Sequence, residues 1–378
     1  MRVLHFYKTC MPESLGGTER FIDQLARSSL KLGVETDVLA LANRPTSARE
    51  SFNGYSLNFA KRNFEIASTG FSFGSISLLK KLAAQADVIH YHFPWPFMDL
   101  VHFLSRPKKP CVVTYHSDII RQKNLLKFYR PLKHLFLRSV DRIVATSPNY
   151  LATSDVLKQY SHKVDVIPIG LDQDTYAAPS SEKKAYWRNK IGDRFFLFVG
   201  AIRYYKGLHI LVEAARGTDY PIVIVGAGPI ERELKQQAVT LGLRNIYFLG
   251  YLPDEDRAAL LELCHCVIFP SHLRSEAFGI SLLEGAMHGK PLISSEIGTG
   301  TTFINISRET GLVVPPNDPA ALRNAMQYVW EHPEQAAEMG SRAAARYRQL
   351  FTADQMASAY VDVYKVLIQS HSSNALNK

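Results

Sequence analysis

The stretch Ser275-Glu276-Ala277-Phe278-Gly279-Ile280-Ser281-Leu282-Leu283-Glu284-Gly285-Ala286 places two carboxylates eight residues apart around a glycine that precedes a predicted helix. At such a helix start Phe278, Gly279 and Ile280 present N–H groups with no intrahelical carbonyl to meet, which makes an anion site out of backbone alone. Glu284 lies about 7 Å further along the helix axis, within reach of a ribose diol. Glu276, outside the helix, can meet the hydroxyls of a bound sugar. The competing reading gives Glu276 to the helix dipole and Glu284 to the surface.

Upstream, Phe198-Val199-Gly200-Ala201-Ile202-Arg203-Tyr204-Tyr205-Lys206-Gly207 runs a buried strand out into a glycine and then presents two cations three residues apart. Carboxyl ends of parallel strands face the ligand crevice, so these cations point where a substrate would lie. Arg203 offers a planar fork for phosphate oxygens and Lys206 a mobile point charge, a pair suited to a diphosphate leaving group. Two solvated loop cations are the alternative. Near the start of the chain, Gly16-Gly17 follows an opening strand and precedes a helix beginning near Thr18. Glycines there let backbone N–H groups approach a phosphate or sugar, or simply serve a tight turn.

These segments sit in a regular rhythm of short β-branched or aromatic runs and longer amphipathic stretches, which predicts βαβ units and parallel sheets. Strands are predicted over 3–7, 35–41, 87–92, 111–115, 142–146 and 164–167, and again over 195–199, 222–225, 246–248, 266–269 and 291–294. A helix over 18–32 puts Phe21, Leu25 and Leu32 on one face. Polar residues punctuated by Gly and Pro follow Gly170, so the reading divides the chain into a domain over 1–170, a linker over 171–193 and a domain over 194–350. A C-terminal helix over 351–378 is expected to pack back on the first domain.

With 378 residues, 46% apolar and 21% charged, the composition is globular and excludes a disordered or fibrous chain. Lys and Arg number 44 against 35 Asp and Glu, and the resulting +9 favours an anionic partner: nucleic acid, a phosphorylated small molecule or a membrane face. Cys10, Cys111, Cys264 and Cys266 are too few for a disulfide scaffold, which fits a reducing compartment. The strand-like opening is too short for a signal peptide, and no apolar run is long enough to span a bilayer.

The order and spacing of the segments resemble retaining glycosyltransferases of family 4, which have the GT-B fold, over nearly the whole chain. The resemblance rests on Gly16-Gly17, Thr114-Tyr115-His116-Ser117-Asp118, Ser147 after the strand over 142–146, and Ile167-Pro168-Ile169-Gly170-Leu171-Asp172. It continues through Arg203 and Lys206, Val225-Gly226-Ala227-Gly228-Pro229, Phe248-Leu249-Gly250, Pro270-Ser271 and the paired glutamates. It implies an α/β fold of two Rossmann-like parallel-sheet domains facing a cleft, the first binding the acceptor and the second the nucleotide sugar.

By the same resemblance Arg203 and Lys206 hold the donor diphosphate, Glu276 bonds the donor sugar hydroxyls, Glu284 binds the ribose, and His116 contacts the sugar near its 6-hydroxyl. Amides around Gly279 meet the diphosphate, those from Leu249 to Tyr251 meet the nucleobase, and Gly16 and Gly17 lie under the phosphates from the first domain. Where the family commonly has Pro-Asn-Gly, this chain has Pro168-Ile169-Gly170. The implied chemistry is a front-face displacement through an oxocarbenium-like state, in which the departing diphosphate takes the proton of the incoming hydroxyl. It needs no cofactor and no metal. Arg2-Val3-Leu4-His5-Phe6-Tyr7-Lys8 and Gly16-Gly17-Thr18-Glu19 further resemble mannosyltransferases of bacterial O-antigen assembly, which implies GDP-mannose as donor and a lipid diphosphate-linked saccharide as acceptor. The alternatives are a UDP-sugar-dependent transferase or a nucleotide-sugar hydrolase or epimerase of the same fold, a non-catalytic nucleotide-sugar-binding protein, and a peripheral membrane scaffold using the basic helix.

Other signals are weaker. Gly226-Ala227-Gly228-Pro229 lacks the third glycine of the dinucleotide fingerprint, which argues against NAD. Cys264-His265-Cys266 reads as buried strand thiols, since alternation separates its side chains and no second ligand pair follows. His90 and His92 either line the acceptor side or pack. Residues 121–138 are basic and amphipathic, with Lys80, Lys81, Arg106, Lys108 and Lys109 nearby in sequence. They suit an anionic membrane surface, with a core-packed helix as the alternative. Nucleic acid is not expected as a partner, because no reader motif accompanies the charge. The expected location is cytoplasmic, peripheral on the inner face of the bacterial inner membrane.

Overall fold

In the computed structural model, which describes residues 1–44, 49–66, 69–119 and 123–376, the apolar runs become strands buried on both faces, as parallel sheets require. The chain divides into two compact units, residues 1–170 with 352–378, and residues 171–351.

The first unit contains β1 (Arg2–Phe6), β2 (Glu35–Ala42), β3 (Glu50–Phe52), β4 (Tyr55–Lys61), β5 (Phe64–Ile66), β6 (Thr69–Phe71), β7 (Val88–Phe93), β8 (Cys111–Tyr115), β9 (Arg142–Ala145) and β10 (Val164–Val166). Eight of these form one sheet in the order β10-β9-β8-β7-β1-β2-β4-β3, parallel apart from the β3–β4 pairing. β5 and β6 make a separate antiparallel pair. The strand order reverses between β1 and β7, so the loops leaving β1, β7 and β8 share the carboxyl edge at a switch point. The helix Gly17–Leu30 buries Phe21, Ile22 and Leu25. Leu32, expected on that face, lies past the helix end and is 48% exposed. The helix Ala353–Leu376 packs on Gly17–Leu30 and sends Tyr360 and Tyr364 into the interior.

The second unit contains β11 (Phe196–Val199), β12 (Ile222–Val225), β13 (Ile246–Gly250), β14 (Cys266–Phe269), β15 (Leu292–Ser295) and β16 (Gly311–Val314). They pair in parallel in the order β13-β12-β11-β14-β15-β16. Counted along the chain this is the doubly wound order 3-2-1-4-5-6, whose switch point falls between β11 and β14.

Residues 171–193, expected as a linker, are part of this second unit. Ser180 accepts a hydrogen bond from the Lys183 N–H and caps the helix Ser181–Ile191. From that helix Lys183 and the Trp187 indole both donate to Asp256 at 2.9 Å. Only Trp187 and Ile191 of that helix are buried, too few to set a hydrophobic period, which is why the segment read as a connector.

Candidate functional site

β11 and β14 pair side by side and part at the switch point, so the loops leaving them border one crevice of the second unit. After β11 the chain passes Gly200 and Arg203 and makes one 3-10 turn over Tyr204–Lys206. Gly207 closes that turn at φ +70°, and a Cβ there would lie 2.0 Å from the Pro270 carbonyl oxygen, so only glycine fits. His272 N–H donates to the Tyr205 carbonyl at 3.0 Å. The two loops are thereby pinned together.

The pinning brings Lys206 Nζ onto the Glu276 carboxylate as an ion pair whose side chains are 12% and 11% exposed. The ammonium also sits 4.6 Å from the centre of the Phe269 ring. Burial pulls the Lys206 pKa down, but the Glu276, Tyr205 and Glu284 charges outweigh it, so the net shift is upward and the ammonium stays charged. Arg203 is exposed, and among the described residues its guanidinium has no hydrogen-bond or ion-pair partner.

Gly279, at φ +103°, starts the helix Ile280–Met287. The first intrahelical bond runs from Leu283 N–H to the Gly279 carbonyl, so Ile280, Ser281 and Leu282 carry the helix-start N–H groups. Of the expected amides only Ile280 is one of these; Phe278 and Gly279 precede the helix, and the Phe278 ring is buried. Glu284 is not a surface residue. It accepts from the Tyr176 hydroxyl at 3.1 Å, and Arg257 Nη2 lies 3.6 Å from the same oxygen. Tyr176 and Arg257 escaped the sequence reading: one lay in the expected linker, and the other followed the acidic run Asp254-Glu255-Asp256.

Gly226 and Gly228 serve close packing. A Cβ at either would lie 2.0 Å from a backbone oxygen, that of Gly200 or of Ile202, and Gly226 N–H donates to the Gly250 carbonyl at 2.7 Å. These contacts tie together the loops after β11, β12 and β13. Leu249 lines a cavity of about 670 Å³ with Trp187, Lys190, Leu252 and Asp256, and Tyr251 is 64% exposed. Among the described residues no hydrogen bond or ion pair joins Leu249 or Tyr251 to the Lys206–Glu276 pair.

In the first unit Gly16 caps the helix Gly17–Leu30, whose first intrahelical bond is Arg20 N–H to the Gly16 carbonyl. The buried Glu19 carboxylate sits at this helix start, accepting from Thr9 Oγ1 at 2.6 Å and Ser14 Oγ at 3.0 Å. The sequence reading quoted it only within Gly16-Gly17-Thr18-Glu19, without a role, and its carboxylate lies where Gly16 and Gly17 were expected to meet phosphates. His116 leaves β8, its backbone N–H bonded to the Phe93 carbonyl and its Nε2 3.1 Å from His92 Nδ1. Burial lowers the His116 pKa to about 3, which leaves the imidazole neutral. His90 and His92 are packed inside the unit.

Cys264 and Cys266 are buried free thiols, and burial pushes Cys264 up to about 12. The basic segment forms the helix Lys123–Ser139, while Arg121 and Gln122 lie outside the described residues. Phe136 and Leu137 are buried, as a core-packed helix requires, and Phe128 on the same helix is 87% exposed. Beside it Arg130, His134, Arg138, Tyr160, His162 and Lys163 line a cavity of about 570 Å³. No described helix is long and apolar enough to cross a membrane.

Two doubly wound parallel-sheet units, with cations and carboxylates at a strand-end switch point, define the class: a sugar transferase of the GT-B fold. Residues 15–175 match the Glycosyltransferase Family 4 model and residues 180–346 the model for Glycosyl transferases group 1. The chain is 62% identical over 353 residues to D-rhamnosyltransferase WbpZ of Pseudomonas aeruginosa, covering 93% of each. It is 49% identical over 372 residues to O-antigen chain mannosyltransferase C of Escherichia coli, covering 98% of this chain and 100% of that one. Sucrose-phosphate synthase from Thermosynechococcus elongatus shares the fold, with a TM-score of 0.83 at 20% identity, over 98% of this chain and 99% of that chain. The chain belongs to the family 4 glycosyltransferases.

Proposed function

We propose that the chain transfers an α-mannosyl residue from GDP-mannose, with retention of anomeric configuration and without a metal, to a lipid diphosphate-linked saccharide in O-antigen assembly. The observation that carries this reading is the buried Lys206–Glu276 pair at the β11/β14 switch point, beside the helix start at Ile280. As the bond from the anomeric carbon to the diphosphate breaks, negative charge gathers on the leaving group. Lys206, kept charged by Glu276, and the exposed Arg203 stabilise that charge, and the helix-start N–H groups add to it. Glu276 both aims Lys206 and accepts from sugar hydroxyls. Glu284, braced by Tyr176 and Arg257, presents its carboxylate to the ribose. The proton of the incoming hydroxyl passes to the departing diphosphate on the face where the new bond forms, so the protein mainly positions and stabilises.

The names of the two similar proteins, a mannosyltransferase and a D-rhamnosyltransferase, support a manno-configured donor. D-rhamnose is mannose without its 6-hydroxyl, and the 62% identity favours the 6-deoxy donor as a second reading. The purified protein, given GDP-mannose, GDP-D-rhamnose or UDP-glucose with a short-chain lipid diphosphate saccharide, is expected to extend the acceptor from GDP-mannose with or without EDTA. NMR of the product should show an α linkage. Extension from UDP-glucose alone would overturn the donor assignment.

The exposed Phe128 and the cavity bearing Arg130, Arg138 and Lys163 support docking on an anionic lipid surface at the inner face of the bacterial inner membrane. Each cation near such a surface contributes about 1 kcal/mol. Co-sedimentation with phosphatidylglycerol vesicles, absent with phosphatidylcholine and weakened by Phe128→Ala, is the expected result; equal binding to both would remove the electrostatic part.

A further inference from the structure

The first unit encloses a row of imidazoles, of which the transfer reading uses only His116. His5 on β1 stands in register with His90 on β7, and His92 follows two residues on, so the three rings leave one face of the sheet. His116 completes the row after β8. Phe21 lies edge-on over His92 and His116 at 5.7 and 5.0 Å. His5 Nδ1 is 2.9 Å from His92 Nε2, and His92 Nδ1 is 3.1 Å from His116 Nε2. His90 stands aside, with Nδ1 2.7 Å from the Tyr364 hydroxyl and Nε2 2.7 Å from Thr114 Oγ1.

His5, His90 and His92 bring one nitrogen each within 4.8 Å of the others, close enough for a cation to gather. Both nitrogens of His90 and of His92 already have partners, however, and such an ion would break at least two of those hydrogen bonds. The geometry favours the hydrogen-bonded row. Burial holds His5, His92 and His116 neutral, so each ring carries one proton. Every ring-to-ring contact needs an N–H on one side and a lone pair on the other. Two arrangements satisfy both contacts: all three protons on Nδ1, or all three on Nε2.

We propose that His92 and His5 are positioning residues that lock the tautomer of His116 through this row. With all three rings protonated on Nδ1, the outer Nδ1 of His116 donates to a substrate hydroxyl; with all three protonated on Nε2, it accepts from one. Among the described residues that Nδ1 has no hydrogen-bond partner, which leaves it for a ligand hydroxyl. The inference rests on the glycosyl-transfer reading only for what His116 faces.

Nitrogen-15 NMR of the ligand-free, histidine-labelled full chain tests the lock without any substrate. One shared tautomer for His5, His92 and His116 is expected, and different neutral tautomers among them would overturn it. His92→Phe keeps an aromatic ring under Phe21 but cuts the row. It should uncouple the tautomers of His5 and His116 and lower kcat/KM for transfer about tenfold, the worth of one hydrogen bond. A folded His92→Phe with undiminished transfer would overturn the positioning role, and stoichiometric Zn²⁺ uptake lost in His90→Phe would give the cluster to a metal instead. If the wild type moves no sugar, the transfer reading falls while the NMR result still decides the lock; if His92→Phe does not fold, His5→Phe, which cuts only the inner contact, replaces it in both measurements.

Discussion

Lys206 and Glu276 show at the residue scale why the site tolerates little change. Each side chain is nearly buried, and the Glu276 carboxylate helps keep the Lys206 ammonium charged. Glu276→Gln keeps the shape but leaves a buried ammonium without a counter-charge, which costs about 3 kcal/mol or more. Transfer should fall about 100-fold or further as the cation loses its aim. Urea unfolding and product formation measure the two losses, and a Glu276→Gln protein with full activity would remove the pair from the chemistry. The imidazole row adds a pH dependence. His5 and His116 have folded pKa values of about 3, lowered by burial from the ordinary 6.5. Below 6.5 the unfolded chain takes up protons that the folded one refuses, so their contribution is full above 6.5 and is lost as pH falls towards 3. The urea midpoint is expected to drop between pH 7 and pH 5, and less steeply in His5→Phe; an equal slope would take His5 out of this linkage.

At the scale of elements, the glycines at strand ends decide how closely the loops approach. Gly207→Ala meets the Pro270 carbonyl oxygen at 2.0 Å and must also hold φ +70°, so the loop bearing Lys206 has to move. A loss of about 3 kcal/mol or more is expected, combining left-handed strain with overpacking, together with loss of transfer. Gly217→Ala, at φ +77° with nothing within 4 Å, should cost only about 1 to 2 kcal/mol and spare activity. Equal effects in thermal unfolding and transfer assays would show that the contact with Pro270 is unimportant. Strand reading depended on the same local physics. β8, β12 and β14 were legible to the residue because β-branched and apolar runs bounded by turns mark strands buried on both faces. β3, β5 and β6 were not, since three residues carry too little of a period, and β16 is a half-buried edge strand.

At the scale of the whole molecule, the chain builds the second unit between two stretches of the first and ends by returning to the unit where it began. Tyr360 and Tyr364 reach Thr114 and His90 at 2.8 and 2.7 Å, and Gly170 N–H meets the Met356 sulfur at 3.2 Å. Truncation after Phe351 would uncover these buried polar groups and the face of the helix Gly17–Leu30. Thermal unfolding is expected to show an early transition, and proteolysis should cut within residues 1–170 first; unchanged resistance would make the last helix dispensable. The sequence by itself determined the α/β rhythm, the strand-end placing of Arg203 and Lys206 and the spacing of Glu276 and Glu284, because period and turn chemistry are local properties. Only the tertiary structure decided that Lys206 pairs with Glu276, that Arg257 and Tyr176 brace Glu284, that Glu19 sits over Gly16, that four histidines pack together, and that residues 171–193 belong to the second unit. Those contacts join segments far apart in the chain, and they depend on register and packing, which no local pattern records.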